Sequence, residues 1–150
     1  MRLVIQRVGH ASVSVDNTLV SDIGPGLMIL VGVETGDTEA DADWLAQKTV
    51  NMRIFSDSQG VMNRSVMESG GSILAISQFT LTASTRKGNR PSYIRAAHGE
   101  EAQKLYDYFC ARLNALSAID VYKGIFGADM KVELLNDGPV TIIIDSRLKE

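Results

Sequence analysis

The sequence predicts a single α/β domain in which mixed, mostly antiparallel β-sheets and two amphipathic helices pack in a three-layer β/β/α arrangement. The chain has 150 residues, a length that usually forms one domain and buries about 70% of the unfolded surface. Its hydrophobic pattern runs in the order strands, helix, strands, helix, strands. No linker or low-complexity segment interrupts this order, so residues 1–150 are expected to form one unit.

The first quarter of the chain predicts mostly β-structure. Apolar side chains alternate over 3–7 and again over 11–15, and the intervening Gly9-His10 predicts a hairpin turn. The near-continuous apolar run 27–33 follows a glycine-proline turn and predicts a strand that is buried on both faces.

Two segments have the spacing of amphipathic helices. Over 38–52, apolar residues recur at helical intervals, Thr38 is a suitable N-cap and acidic residues occupy the first turn. A second apolar stripe runs from Ala102 to Leu113 and follows Glu100-Glu101. Each pattern predicts a helix with one buried face.

The rest of the chain predicts three more strands and a long loop. Residues 79–81 are expected to end the first of these strands, and the polar, basic segment 83–91 is the longest loop signal. A turn at 136–139 is expected to join the last two strands. The three predicted strands are 72–78, 130–135 and 140–145.

Composition excludes several classes of protein. Fifteen basic and eighteen acidic residues give a net charge of −3, so a nucleic-acid contact must be local, and no DNA partner is expected. The longest uncharged apolar stretch, 23–33, is far shorter than the roughly twenty residues of a membrane span. Arg7 interrupts the first apolar run before a signal-peptide core can form, which predicts a cytoplasmic protein without a membrane partner.

The usual catalytic groups are scarce. His10 and His98 are the only two histidines, and both are expected at the surface. Neither a Gly-x-Ser-x-Gly nor a His-Glu-x-x-His motif occurs, so the sequence predicts no metal site and no cofactor. Cys110 shares the apolar stripe of the second helix, which indicates core packing rather than a nucleophile.

Two segments hold polar or unusual groups where strands end or begin. The segment Ser77–Thr80 lies at the end of a buried strand, where backbone groups lose their ladder partners and can face a ligand. The alternative is that the hydroxyl groups there bind their own backbone. Gly138-Pro139 enters a strand with a residue that cannot donate to the ladder, which indicates an edge, a bulge or a site.

A basic cluster occupies the longest predicted loop. Arg86, Lys87 and Arg90 lie within five residues of one another, and Gly88 allows close approach of the backbone to a ligand. Such a loop suits phosphate groups, and it is equally typical of a solvated surface. The residues alone leave both interpretations open.

Seven segments together carry a resemblance to a known family. They are MRLVIQRV at 1–8, residues 24–37, RIF at 53–55 with Met62-Asn63, SQFTL at 77–81, KGNRPS at 87–92, FGADM at 126–130 and NDGPVTIIID at 136–145. In this order they resemble the D-aminoacyl-tRNA deacylases, hydrolases of translation that check chirality. The pair SQFTL and GPVT is highly specific to that family. Val61 and Tyr93 depart from the lysine and phenylalanine of many relatives, outside the expected site.

The resemblance implies a homodimer with shared sites. The Gly138-Pro139 peptide would be cis, and each subunit would insert it into the partner's site, with Arg7 supporting its orientation. The resemblance further implies that the catalytic pocket, which holds the aminoacyl group and the terminal adenosine, is lined by Ser77, Gln78, Phe79, Thr80 and Met130.

The implied reaction is hydrolysis of the ester of D-aminoacyl-tRNA to free amino acid and tRNA. Backbone amides near Phe79 and Thr80 are expected to stabilise the oxyanion without an essential side-chain base, and Thr80 as a covalent nucleophile is the competing mechanism. A site that rejects L side chains with main-chain atoms predicts broad tolerance of D-amino acids and some cleavage of glycyl-tRNA.

The implied partner is tRNA carrying a D-amino acid or glycine. Arg86, Lys87 and Arg90 are the expected RNA-binding residues on an otherwise acidic protein. The alternative function is that of a noncatalytic protein that binds the tRNA 3′ end with the same pocket and loop.

Overall fold

The computed structural model describes residues 1–149 and shows one α/β domain whose mixed sheet curls almost into a barrel. In the main sheet the strand order is β2-β1-β3-β6-β7, and β8 pairs with β1. The strands β4 and β5 form a separate small sheet. In chain order the elements are β1 (Arg2–Val15), β2 (Thr18–Ile23), β3 (Gly26–Gly32), α1 (Glu39–Asn51), β4 (Phe55–Ser56), β5 (Met62–Arg64), α2 (Val66–Ser69), β6 (Ser72–Ser77), α3 (Gly99–Ser117), β7 (Val121–Lys123) and β8 (Lys131–Asp145).

The strand β1 is continuous, so the predicted hairpin turn at Gly9-His10 is wrong. Val8 pairs with Asn136 and His10 with the adjacent Leu135, which leaves Gly9 as an extra residue in β1. Such a bulge changes which side chains face the core and therefore interrupts the alternation of apolar residues, much as a turn does.

The actual turn of the first hairpin lies further along the chain. Asp16 and Asn17 connect β1 to β2 with left-handed φ angles of 49° and 61°. Asparagine and aspartate tolerate this conformation, and two such residues in succession suit the twist of a tight hairpin.

Both predicted helices are present as α1 and α3. Their apolar stripes, including Leu45 of α1 and Phe109 of α3, are fully buried in one cluster with the sheet. The short helix α2 was not predicted, although Ser65 and Glu68 form the reciprocal capping box that marks a helix start. Within residues 1–149, no helix is long and apolar enough to cross a membrane.

The core has two parts, one on each face of the central strands. Leu27 and Ile73 face the helices, whereas Met28 and Leu74 face the second cluster, which includes Val13 of β1. The predicted burial of 27–33 on both faces is therefore confirmed for β3. Both β layers belong to one hydrogen-bonded sheet that folds over the second cluster.

The strand β6 ends at Ser77, before the predicted end at 79–81. Phe79–Thr82 instead form a 3-10 turn, called the 79–82 turn below. Gly32 makes room for it, because a Cβ atom at this position would lie 2.9 Å from Cβ of Leu81 and 3.2 Å from the carbonyl oxygen of Gln78. The turn therefore packs directly on the end of β3.

The strand β8 replaces the two strands that were predicted at 130–135 and 140–145. Asn136 pairs with Val8 and Thr141 with Gln6. Residues 137–140 of β8 therefore lie opposite a single residue of β1, Arg7. These residues form the 137–140 bulge, and its first three are exposed. The predicted turn is thus a wide bulge within one long strand.

The amino-terminal residue is buried. The Met1 ammonium lies 2.7 Å from Oδ2 of Asp37, whose side chain is 1% exposed, and donates to Oγ of Ser146 at 2.8 Å. Nη2 of Arg147 contacts the other Asp37 oxygen at 3.0 Å. This cluster joins the start of β1, the loop before α1 and the segment after β8.

Asp37→Asn is expected to lower the free energy of unfolding by about 3 to 5 kcal/mol, because it leaves a buried ammonium without its counter-charge. Urea denaturation at neutral pH measures this loss. Glu100→Gln is the control, since its exposed ion pair with Lys104 contributes less than about 1 kcal/mol. Equal, small losses for both variants would contradict the role given to the buried pair.

Candidate active site

A partly open cavity of about 320 Å³ lies where β3 and β6 end. The carboxyl ends of parallel strands are a common place for a ligand site in α/β proteins. One polar edge comes from the end of β6 and the residues that follow it. The remaining wall is mostly apolar and includes Val31, Val33, Tyr106, Phe126 and Met130.

The structure places most of the predicted pocket residues at this cavity. Ser77, Gln78, Phe79 and Met130 line it. Thr80 is not among the lining residues, and its hydroxyl oxygen accepts a hydrogen bond of 2.6 Å from Nε2 of Gln78. The Thr80 side chain is therefore engaged beside the cavity.

Two consecutive main-chain N–H groups, at Phe79 in the cavity lining and at Thr80 beside it, are unpaired within residues 1–149. Phe79 and Thr80 open the 79–82 turn, and the first N–H groups of a helical turn have no acceptor within it. No group in residues 1–149 accepts a hydrogen bond from either N–H. Adjacent, fixed N–H donors of this kind are suited to stabilising the negative oxygen that forms during ester hydrolysis.

Tyr106 and Asp129 are the titratable residues that line the cavity, and the exposed Asp129 carboxylate pairs with Nζ of Lys131 at 2.9 Å. Burial raises the pKa of the Tyr106 hydroxyl, which donates to the Ala75 carbonyl at 2.9 Å. Burial also raises the pKa of the Cys110 thiol to about 12, so it stays protonated at neutral pH. His98 is exposed before α3, and His10 lies 3.1 Å from Asp22 in the β1–β2 hairpin.

Metal ligands are not grouped in the part of the chain that the structure describes. Residues 1–149 contain no cluster of three histidine, cysteine, aspartate or glutamate side chains placed to hold a metal ion. Phe79, whose main-chain N–H has no hydrogen-bond partner within residues 1–149, does line the cavity.

The 137–140 bulge lies apart from the cavity. Its Gly138-Pro139 peptide bond is cis, and neither residue lines the cavity of the same chain. Below it, Arg7 donates from Nε to the Asp137 carbonyl at 3.0 Å and from Nη1 to the Ile54 carbonyl at 2.6 Å. The residues predicted to bind substrate therefore fall into two places in one chain, with Met130 at the cavity and the others at the bulge.

Glycine is required at the centre of the bulge. Gly138 has a φ of 131°, a conformation that L side chains rarely adopt. A Cβ atom there would also lie 3.1 Å from Nη2 of Arg7. The bulge can thus rest on the guanidinium only because residue 138 has no side chain.

The three predicted RNA-binding residues share one exposed loop. Arg86, Lys87 and Arg90 are all exposed. Two main-chain hydrogen bonds of 2.9 Å between Ser84 and Ser92 close the base of this loop. Its positive charges are therefore presented to solvent from a fixed base.

An aromatic pair connects the basic loop to the cavity. The rings of Phe79 and Tyr93 meet edge to face with centroids 5.0 Å apart. Tyr93 follows the loop directly, and Phe79 lines the cavity. The pair therefore connects the end of the loop to the cavity wall.

Sequence reasoning missed the side chains behind the 79–82 turn. Nη1 of Arg2 donates to the Leu81 carbonyl at 3.0 Å, and Nη2 of Arg95 donates to the Thr82 carbonyl at 3.0 Å. The available signal was an arginine inside an apolar strand pattern at Arg2, whereas no local motif marks Arg95.

Comparison with known proteins gives full-length matches. The family described as D-Tyr-tRNA(Tyr) deacylase matches residues 4–145. The chain is 58% identical over 150 residues to a "D-aminoacyl-tRNA deacylase" of Bacteroides thetaiotaomicron, with 100% of both chains covered. It is 55% identical over 150 residues to a protein of the same name from Dechloromonas aromatica, again with 100% of both chains covered.

Two solved structures share the fold. One, described as "c-Myc DNA Unwinding Element Binding Protein", is 38% identical with a TM-score of 0.92 and covers 97% of this chain and 98% of its own. The other, described as a probable eukaryotic D-amino acid tRNA deacylase, is 18% identical with a TM-score of 0.82. It covers 95% of this chain and 97% of its own.

The fold, the cavity and these matches together define the class of the protein, which is a hydrolase of the deacylase type. Within that class, the chain belongs to the D-Tyr-tRNA(Tyr) deacylase family. The resemblance that was inferred from SQFTL, GPVT and the other segments is confirmed.

Thr80→Ala is expected to keep near-wild-type turnover in a deacylation assay, because the main-chain N–H of residue 80 is retained and the side chain lies beside the cavity. Steady-state release of amino acid measures the effect, with the exposed Thr85→Ala as the matched control. Removal of a covalent nucleophile would instead lower kcat by on the order of 10⁶-fold. A loss of that size would overturn the main-chain mechanism.

Proposed function

We propose that this protein hydrolyses the ester bond of D-aminoacyl-tRNA and releases free D-amino acid and tRNA. The relatives that match over the full length carry the name of this activity. The single structural observation that carries the proposal is the pair of unpaired N–H groups of Phe79 and Thr80 at the start of the 79–82 turn, whose first residue lines the cavity. These donors are suited to the carbonyl oxygen of an ester.

The reaction needs no side-chain base in this proposal. Water adds to the ester carbonyl carbon, and the negative oxygen that forms accepts hydrogen bonds from the two N–H groups, each worth about 2.7 to 4 kcal/mol. The 2′-hydroxyl of the terminal ribose, next to the ester, relays a proton, because it accepts one from the attacking water and passes its own to the ribose oxygen of the ester. Cleavage of the bond between the carbonyl carbon and the ribose oxygen then releases the amino acid, and that ribose oxygen takes up a proton.

We propose that a second copy of the chain completes the site. The 137–140 bulge is exposed and does not line the cavity of its own chain. On the same strand, Leu135 is 66% and Ile143 is 62% exposed. Within residues 1–149, β8 pairs only with β1, so its other edge is unpaired. An exposed apolar strand with a free edge is typical of an interface, and it favours a homodimer.

In that homodimer the partner's bulge is the chiral filter. The carbonyl groups of Gly138 and Pro139 bind the substrate ammonium, and main-chain atoms surround the α-carbon. An L side chain would then collide with the backbone, whereas a D side chain points away from it. Glycyl-tRNA, which lacks a side chain, is cleaved as well, and D-amino acids of different size are accepted.

The basic loop holds the RNA. Arg86, Lys87 and Arg90 neutralise phosphates of the acceptor end, so affinity falls as salt rises. The contact is local on a protein of net charge −3. A charged tRNA as substrate places the reaction in the cytoplasm.

The central test compares release of labelled amino acid from D-tyrosyl-tRNA, L-tyrosyl-tRNA and glycyl-tRNA with catalytic amounts of protein and a chelator. Multiple turnovers of the D-ester, slower cleavage of the glycyl ester and a stable L-ester are expected. Protection of the D-ester without turnover would identify a tRNA-end binding protein instead. Cleavage of the L-ester would reject the chiral filter.

Complementation tests the shared site. Gly138→Val disturbs the bulge but leaves the cavity intact, and Met130→Trp fills the cavity but leaves the bulge intact. Each variant alone is expected to be inactive, whereas subunit exchange should restore about a quarter of wild-type activity, because half of the dimers gain one complete site. An inactive mixture in which native mass spectrometry detects heterodimers would reject the shared site.

Arg90→Glu is expected to weaken binding of the tRNA acceptor end and to reduce its dependence on salt concentration, because one phosphate contact is replaced by repulsion. Fluorescence anisotropy with an RNA acceptor-stem hairpin measures both effects, and single-stranded DNA of the same sequence serves as a comparison. The control is Lys104→Glu, an exposed lysine of α3 that does not line the cavity. Equal binding by the two variants would remove the loop from the RNA site.

A further inference from the structure

The orientation of the two unpaired N–H groups is set by hydrogen bonds on the opposite side of their peptide planes. A peptide group is planar, so its carbonyl oxygen and its N–H point in fixed, opposite directions. The Gln78 carbonyl, in the plane of the Phe79 N–H, accepts from the Leu81 N–H at 3.3 Å. The Phe79 carbonyl, in the plane of the Thr80 N–H, accepts from Oγ1 of Thr82 at 2.8 Å.

The donors of these bonds, Leu81 and Thr82, are in turn held by two arginines. Arg2 donates to the Leu81 carbonyl and is fixed by Asp145, with Nη2 to Oδ2 at 2.7 Å. Arg95 donates to the Thr82 carbonyl from both Nη2 and Nε, at 3.0 and 3.3 Å. The 79–82 turn is thus held through its last two carbonyl groups, while its first residue, Phe79, lines the cavity.

The carboxylate of Glu34 faces Arg95 from the interior. Its side chain is 6% exposed, and Oε1, which makes no hydrogen bond within residues 1–149, lies 3.8 Å from Nη1 of Arg95. The other oxygen, Oε2, contacts Nη1 of Arg147 at 3.1 Å. A buried charge with a fixed position orients a partly exposed guanidinium more strongly than a solvated one does.

Main-chain hydrogen bonds also join the segment that contains Glu34 to the segment that contains Arg95, next to the cavity. The Thr35 N–H donates to the Arg95 carbonyl at 2.9 Å, and the Ala97 N–H donates to the Val33 carbonyl at 3.1 Å. Val33 and Ala97 both line the cavity. The segment of Arg95 is therefore fixed to the segment of Glu34 at the edge of the site.

We propose that Arg95, aligned by the buried carboxylate of Glu34, is a positioning residue that sets the direction of the Phe79 and Thr80 N–H groups. This inference rests on the proposed function of those groups as oxyanion donors. It adds that the ion pair of Arg95 and Glu34, which holds the Thr82 carbonyl, affects the rate of the chemical step. Neither side chain contacts the substrate.

The test is a comparison of Arg95→Ala, Arg95→Lys and Glu34→Gln with the wild-type protein in the deacylation assay. Arg95→Ala is expected to lower kcat by about 10- to 100-fold with little change in KM, since small displacements of donors have effects of this size. Arg95→Lys recovers part of kcat, because an ammonium can still donate to the Thr82 carbonyl. Glu34→Gln lowers kcat and has no further effect when combined with Arg95→Ala.

The matched control is Arg112→Ala, which removes a similarly exposed arginine whose partner is Asp43 on the helical surface. It is expected to leave kcat unchanged. All variants are also examined by amide NMR, where the Phe79 and Thr80 signals should shift in the Arg95 and Glu34 variants and stay in place in the control.

The outcomes separate this inference from the proposed function. An active wild type with unchanged kcat in Arg95→Ala, or with a change in KM alone, would overturn the positioning role. An inactive wild type would reject the deacylase proposal, and the amide signals would then decide the role of Arg95 by themselves. If Arg95→Ala and Arg112→Ala lost the same amount of kcat and the same amount of thermal stability, the effect of Arg95 would be a general structural one and the positioning role would be wrong.

Discussion

The main-chain ladder between β1 and β8 is the constraint on which the rest of the molecule depends. It runs from the pair Arg2–Asp145 to the pair Ser14–Lys131, while the opposite edge of β1 is divided between β3 and β2. One strand therefore carries both halves of the curled sheet. The same ladder sets the position of the 137–140 bulge, because the bulge is the place where β8 has more residues than β1 can pair.

In the proposed mechanism the catalytic donors are main-chain N–H groups, so the sequence has to position a turn and does not have to supply a reactive side chain. The N–H groups of Phe79 and Thr80 are present whatever side chains those residues have. What the sequence must supply is a turn that ends β6 early, a glycine beneath it and polar groups that fix its carbonyls. Gly32, Thr82 and Arg95 meet these demands without being reactive groups.

Patterns confined to one segment predicted the structure well. The apolar run 27–33 gave a strand buried on both faces, and the helical spacing of Leu45 and of Phe109 gave α1 and α3. Predictions failed where pairing between distant strands decides the outcome. The bulge at Gly9 resembles a turn in sequence, and the 137–140 bulge resembles a loop between two strands, because periodicity does not show which residues lack a partner. Arg95 was missed for the same reason, since its acceptor and its carboxylate partner lie far away in the sequence.

The burial of the Met1 ammonium determines how the protein should be handled in the laboratory. An affinity tag fused ahead of Met1 turns the ammonium into a neutral amide and forces a chain out through the contacts with Asp37 and Ser146. Lys149, by contrast, is exposed at the other end of the described chain. Purification handles and fluorescent labels therefore belong at the carboxyl end. An amino-terminal fusion would weaken the protein before any measurement of its activity began.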